Sequence, residues 1–458
     1  MDLYTAFRKA AALIAATACT VSAHAQDGAY DPSFGDVSVP GRTWIDVSPS
    51  PLDDATKLIQ LPGGNLFMAG SCGPYTCAAW LTPSGNKIPG YGNYNTHLGT
   101  SVFVYYVGWP GDAYFAPGDV AAFADGRVVV PVPRGSASGA SYIAVTSADG
   151  KVLDPAVGNG AGYVLTTLPS PVFVRVTPQQ QVIAVGTSAT SPASIVVSRY
   201  DSTLHLDTSF GTGGSTAIGI PDGDFVPHGM TLQRDGKIVV IGQYGAVAPY
   251  AVGIVRLTAG GSPDPNFGIS SDGRFESDLG HFAGVVGNAI AEDKMGRLML
   301  AGYAVIDDTH MMWFVHRLTS GGAQDAAFNG GHARIFVPFD SSQLEAPQAF
   351  GVALQGDGRI VVAGTMDREP INEQKYFAIA RFTDAGAFDA TFGIGGLAYG
   401  DMSTQEPNVL TDFPAAMVIS GGGIIIGGST VSTVTGTNEH RFTAMKARID
   451  LLFADGFD

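Results

Sequence analysis

Cysteine is nearly absent from this chain, with three in 458 residues, and one of them, Cys19, lies in an N-terminal apolar stretch. The remaining two, Cys72 and Cys77, have neither His nor Asp near them at zinc spacing, so a metal pair lacks its other ligands. Basic residues are scarce as well, 25 against 41 acidic, which excludes the positive surface that nucleic acid requires. No apolar run approaches the ~20 residues of a membrane span. Only four tryptophans occur, too few for the Trp-containing docking repeats of quinone-cofactor dehydrogenases. Sustained helical periodicity with caps is missing throughout, which leaves an all-β fold. Also missing are the Gly-x-Ser-x-Gly elbow, the His-Glu-x-x-His pair, the phosphate loop and the helix-loop-helix calcium loop.

What the chain has in quantity is repetition. A glycine-led apolar run occurs at Gly64–Gly70 (GNLFMAG), Gly126–Val130, Gln180–Gly186, Gly236–Gly242, Gly296–Gly302, Gly358–Gly364 and Gly422–Gly428. Successive leading positions are 62, 54, 56, 60, 62 and 64 residues apart. Such a period signals a propeller or a solenoid. Upstream of each run lies an alternating strand such as Met230–Leu232 or Val352–Leu354; downstream lies a second, usually ending in Arg, as in Ile195–Arg199, Val252–Arg256, Trp313–Arg317 and Phe377–Arg381. A turn box, Asp-x-x-Phe-Gly, follows at Asp31–Gly35, Asp207–Gly211, Asp264–Gly268 and Asp389–Gly393, with weaker copies starting at Ile88, Asp154 and Asp325.

These parts fit a twisted antiparallel sheet. The dipeptides Asp125-Gly126, Asp235-Gly236 and Asp357-Gly358 supply the positive φ of tight hairpins. The runs after them are apolar at consecutive positions, so both faces must be covered, which blades stacked in a ring provide. In the box, Asp can bond forward to backbone amides while Phe is buried between adjacent blades. The N-terminal part begins with a box and a following strand, and the seventh repeat stops after its third strand, Phe442–Ile449. The expectation is therefore a seven-bladed β-propeller of four-stranded antiparallel blades. Its ring is closed when a strand near residues 31–40 joins the last blade.

The alternation of Asp-Gly-Lys-Ile-Val-Val-x-Gly with Arg-x-x-x-x-Gly-x-x-Asp-x-x-Phe-Gly, best at Gln233–Gly242 and Gln355–Gly364, resembles the delta-60 repeat family of bacterial secreted and surface proteins. The resemblance spans about residues 31–450 and implies a propeller-like fold without a shared activity. The first two repeats depart from it, with Trp80 and Thr146 where later copies have Arg.

Residues 1–25 read as a secretory signal: Arg8 and Lys9, an apolar stretch from Ala10 to Val21, and the cleavage site Ala23-His24-Ala25. A lipoprotein signal ending at Cys19 is the lesser alternative, since Ala16 stands where such signals prefer Leu. Asp2, Arg8 and Lys9 fall inside that segment, so the remainder holds 23 basic and 40 acidic residues, a net charge of −17. Residues 26–450 form one domain, and 451–458 a tail resembling a short C-terminal signature of some exported Gram-negative proteins. The expected location is secreted, periplasmic or on a bacterial surface. There Cys72 and Cys77 are expected to pair as a disulfide, with free thiols as the alternative.

Candidate sites are of two kinds. Counting ten and eight residues back from each hairpin glycine reaches the entry of the innermost strand, where Asp54, His228, Asn288, Gln348 and Asp412 would ring the channel mouth. Against this, strand starts are often polar because they are wet. The segment 91–115 concentrates aromatics, among them Tyr105, Tyr106, Trp109 and Tyr114. Exposed, these could stack on sugars or anchor a partner; alternatively, Val102–Tyr106 is an extra strand burying alternate residues. His316 beside Arg317 reads as packed or solvated, and the acidic turns Asp222–Asp224 and Asp307–Asp308 as blade-edge loops, with calcium the minority alternative. No other cofactor is expected, and a monomer is. Together these features point to a non-catalytic scaffold binding a protein or glycan through its loops or channel. The competing reading is a polysaccharide hydrolase or lyase using Asp54 and Asp412 as acid and base.

Overall fold

In the computed structural model, residues 28–449 are described apart from short segments, the longest being 106–115, 338–346, 368–374 and 401–408. The two extremes of the sequence, including the expected signal and tail, lie outside the described residues. Seven antiparallel sheets of four strands follow one another along the chain. Among the described residues the only helices are two three-residue 3-10 turns, Gly158–Gly160 and Asn329–Gly331.

The innermost strands are Asp53–Gln60, Ala121–Ala122, Phe173–Val176, Phe225–Leu232, Gly284–Glu292, Ala349–Leu354 and Val409–Ser420. Each pairs with the glycine-led apolar run after it, as Leu232 does with Ile238. The hairpin position takes positive φ at Gly126, Gly236 and Gly358, as the Asp-Gly signal predicts, and also at Gly296, which follows Met295. Gln180 adopts the same conformation in the third blade, and its side-chain oxygen accepts a bond from the Ala124 amide of the second. In the first blade a two-stranded ribbon, Tyr94–Asn95 with Thr100–Ser101, precedes the outer strand Phe103–Tyr105. That strand, expected as an extra element, is the fourth strand of its blade.

Closure follows the expected scheme at a slightly later position. Arg42–Ile45 pairs antiparallel with Phe442–Met445 and forms the outer edge of the last sheet. Upstream, Gly28, Ala29 and Asp31 exchange backbone hydrogen bonds with Arg448 and Lys446, extending the cover along the same edge. The apolar packing agrees. Among the described residues, seven buried clusters occupy seven seams, each joining facing sides of neighbouring blades; an open row of seven blades would have six. The seam that closes the ring sets Ile45, Ile425 and Phe442 of the last blade against Leu58, Leu66, Met68 and Leu81 of the first.

The Arg and the Asp-x-x-Phe-Gly box form a clamp between blades. In the fourth blade Asp264 Oδ1 accepts from the Asn266 amide, while Oδ2 receives Arg256 Nε at 2.8 Å. The guanidinium lies 4.3 Å from the centre of the Phe267 ring and donates to the Ser320 carbonyl of the fifth blade. Phe267 then seats against Gly322 of that blade, where a Cβ would come within 2.7 Å of the ring. The Gly268 amide also reaches the Gly321 carbonyl at 3.0 Å. Arg199–Asp207, Arg317–Asp325 and Arg381–Asp389 repeat the ion pair. Burying one such ring contributes about 2–3 kcal/mol. The second blade, with Thr146 in place of Arg, takes its cation from the preceding strand. Arg127 reaches Asp154 at 2.7 Å and the Ser202 carbonyl of the next blade at 3.2 Å.

A second glycine has a different cause. Gly70, Gly242, Gly302, Gly364 and Gly428 face a one-residue bulge in the neighbouring inner strand. At Gly302 a Cβ would lie 1.9 Å from the Val286 carbonyl oxygen. Gly302→Ala is expected to cost about 1–3 kcal/mol by overpacking. Gly260→Ala, where a Cβ would meet only Thr258 Oγ1 at an ordinary 3.9 Å, should be near neutral. Urea unfolding midpoints of the two variants check this.

Candidate functional site

The bulges matter because they lie on the channel. An extra residue in one strand bends it and re-aims a side chain. The bulged residues are Thr56, His228, Asn288, Phe350 and Ala415. Of these, His228, Asn288, Phe350 and Ala415 line a cavity of about 620 Å³ on the ring axis, whose wall draws on the inner strands of all seven blades.

His228 and Asn288 meet there. His228 Nδ1 is 3.1 Å from Asn288 Oδ1, and Asn288 Nδ2 donates to the Ala349 carbonyl at 3.0 Å. With the amide nitrogen committed to a carbonyl, the amide oxygen must accept, so Nδ1 carries the proton and Nε2 is left as an acceptor at the channel wall. Burial pushes the His228 pKa down, and the bond to Asn288 only partly offsets this.

The other three expected rim residues do not join them. Asp54 is half-exposed and faces His440 of the last blade, Oδ1 to Nδ1 at 2.8 Å. Gln348 is exposed, and its amide donates to Thr365 Oγ1 at 3.0 Å. Asp412 is buried within the last blade and accepts from Thr430 Oγ1 at 3.0 Å. The counting slips there because the last hairpin is one residue shorter: Ile419 pairs with Ile424, whereas Leu232 pairs with Ile238. Phe413 therefore occupies the position that Val226 holds in the fourth blade, its carbonyl packed over Gly428.

Sequence reasoning missed the charged part of the wall. Lys57 of the first blade, Asp119 of the second and Arg175 of the third all line the cavity. Arg175 Nη1 contacts Asp119 Oδ2, which also accepts from the Val174 amide at 3.3 Å. Desolvation lowers the Lys57 pKa; Asp119 opposes that and Arg175 adds to it. The wall is thus divided. The first three blades bring charge, the fourth to sixth bring His228, Asn288 and Phe350, and the seventh brings Ala415, Ala416, Met417 and Val418. The signal was present one column further along the strand. Lys57 and Asp119 stand where the other blades have Phe173, Gly229, Ala289, Gly351 and Ala416.

Of the aromatic patch, Tyr105 lies in the outer strand of the first blade, while Tyr106, Trp109 and Tyr114 fall outside the described residues. Cys72 and Cys77 form a disulfide between adjacent strands, both fully buried. Among the described residues, no group of three or more His, Cys, Asp or Glu is placed to hold a metal ion. Asp224 caps a loop by accepting from the Ala193 amide at 2.8 Å; Asp222 and Asp308 lie outside the described residues.

His316 is packed, fully buried and stacked on Phe275 with centroids 6.0 Å apart. Neither ring nitrogen has a partner among the described residues. Desolvation, aided by the Arg334 charge, pushes its pKa down to about 4. The unfolded chain binds a proton near pH 6.5, so stability is full above that and falls as the pH drops toward 4, by about 3 kcal/mol. Unfolding midpoints between pH 7 and 4 should show this slope in the parent and a flatter one in His316→Phe.

A family profile agrees on the fold. Residues 233–267 and 355–392 match a family profile described as "Domain of unknown function (DUF5122) beta-propeller", which supports a β-propeller repeat family. No curated protein matches the sequence. Among solved structures, a protein of unknown function from Dyadobacter fermentans is 9% identical with a TM-score of 0.44, covering 90% of this chain and 100% of that one. An ulvan lyase bound to an oligosaccharide is 10% identical, with a TM-score of 0.46 and coverage of 94% and 96%. A second polysaccharide lyase is 12% identical, with a TM-score of 0.42 and coverage of 95% and 94%. Among the described residues, no helix is long and apolar enough to cross a membrane.

Proposed function

We propose that this protein is an exported, non-catalytic propeller of the delta-60 type that binds a small polar ligand, or the end of a glycan or protein, in its central channel. The observation that carries this reading is the divided wall of the cavity, where charges, hydrogen-bonding groups and an aromatic ring converge from different blades. Concave sites with a few convergent polar groups on a preformed scaffold are the usual form of ligand pockets. The strands that present them are held by clamps in the blades behind, so the wall is preorganised.

The hydrolase or lyase alternative assigns Asp54 and Asp412 as a working acid and base, the paired-carboxylate arrangement known from glycoside hydrolysis. Asp412 is buried against Thr430 and Asp54 is engaged by His440, so no observation favours that pair. A glycan array and a thermal-shift screen of small metabolites, each run beside a hydrolase panel, test the reading. Binding that weakens in His228→Ala, without turnover, supports it. Turnover of a polysaccharide, or a complete lack of binding, contradicts it.

A further inference from the structure

Lys57 is the least satisfied charge on the channel. Among the described residues its ammonium has no hydrogen bond and no ion pair, and it is part-buried on the cavity wall, where desolvation works against its charge. Arg175 is differently placed. One nitrogen, Nη1, serves Asp119 and the Val174 carbonyl, while no partner is described for its Nε or Nη2. The three groups sum to one positive charge, in a chain whose formal net charge is −16. A cation drawn partly out of water is costly unless something pairs with it.

We propose that the channel is a receptor for a small ligand bearing a single carboxylate, held between Lys57 and Arg175; this rests on the reading of the channel as the binding site. A monoanion balances the site, whereas a phosphate dianion would leave a net negative charge there. The planar guanidinium presents donors that match a carboxylate in geometry. Asp119 fixes the guanidinium and so positions it. The rest of the ligand would extend toward the fourth to sixth blades, where His228 Nε2 can accept from a hydroxyl and Phe350 can pack on an apolar face. The volume of about 620 Å³ suits a molecule of sugar-acid size and is too small for a folded partner.

Isothermal titration of the full chain with galacturonate, galactose, acetate and inorganic phosphate tests the assignment. The expected result is that galacturonate binds, galactose and phosphate bind at least tenfold more weakly, and Lys57→Met weakens galacturonate at least tenfold. Because Lys57→Met also removes the unpaired charge, its unliganded melting temperature should equal or exceed the parent's. Lys57→Gln provides the same comparison with a polar side chain. Acetate binding as tightly as galacturonate would keep the carboxylate site and place the sugar ring outside it. Carboxylates that bind Lys57→Met as well as the parent, or a Lys57→Met and Lys57→Gln pair that both fail to fold, overturn the assignment. Galactose binding that depends on His228, with no carboxylate preference, overturns it while leaving the channel reading intact. Binding of none of the four overturns it too, and the wider screen then decides the channel reading by itself.

Discussion

Replacing Arg256 with Met is expected to destabilise the protein by about 3–5 kcal/mol, among the largest effects of any single substitution here. Arg256 and Asp264 are 3% and 1% exposed, so methionine would leave a carboxylate with almost no water and no counter-charge. The same change removes the donations to Gln233 Oε1, to the Ser320 carbonyl and to the Asn266 carbonyl, and the cation over Phe267. Most of the cost belongs to the stranded Asp264, because breaking one half of a buried pair is worse than removing both halves. The double variant Arg256→Met with Asp264→Leu should therefore recover at least half of the loss. Lys151→Met removes the pair with Asp149, both more than half exposed, and should be near neutral. Urea denaturation of the three variants measures this, and a loss under about 1 kcal/mol in Arg256→Met would mean that the clamp is not what holds the seam.

Much of that clamp was legible in the sequence because it recurs. The Arg at the end of the third strand and the Asp and Phe of the box keep fixed spacing, and a fixed spacing over several copies implies one shared contact. Where a copy departs, the contact is kept by other means that local sequence cannot announce. Arg127 replaces the missing Arg of the second blade from a different strand, and Gly28 supplies beside Phe392 the glycine seat that Gly322 supplies beside Phe267. Other features need the three-dimensional register. The glycine ending each apolar run looks like a turn signal, yet at Gly302 its role is to admit the Val286 carbonyl beside the bulge. One residue fewer in the last hairpin moves Asp412 from the expected rim into the blade. Lys57, Asp119 and Arg175 sit in three different repeats at two different columns, and only the curvature of the ring brings them together.

Removing the closing segment should have the other large effect. Its strand, Arg42–Ile45, lies on an edge that otherwise presents the unpaired backbone of Thr437–Arg448, a long open strand of the kind that drives aggregation. The same segment carries Phe34, whose ring seats against Gly85 of the first blade, and Val47, whose amide donates to Asp53 at 2.9 Å. Its loss therefore opens the last blade and loosens the seam beside it. A chain beginning at residue 52 is expected to aggregate or to lose cooperative unfolding, and a peptide spanning residues 26–51 should restore a soluble monomer when added in trans. A truncated chain that stays monomeric with an unchanged unfolding midpoint would show that the first blade and the last hold together without it.

Amide hydrogen exchange along Thr437–Arg448 in the intact protein tests the closed ring most directly. If Arg42–Ile45 is paired there, the amides bonded to it exchange as slowly as those of the interior strand Leu298–Asp307, through global unfolding alone. Exchange of those amides on the time scale of exposed loops, with the neighbouring strand still protected, would mean that the last blade has a free edge and the circle is open.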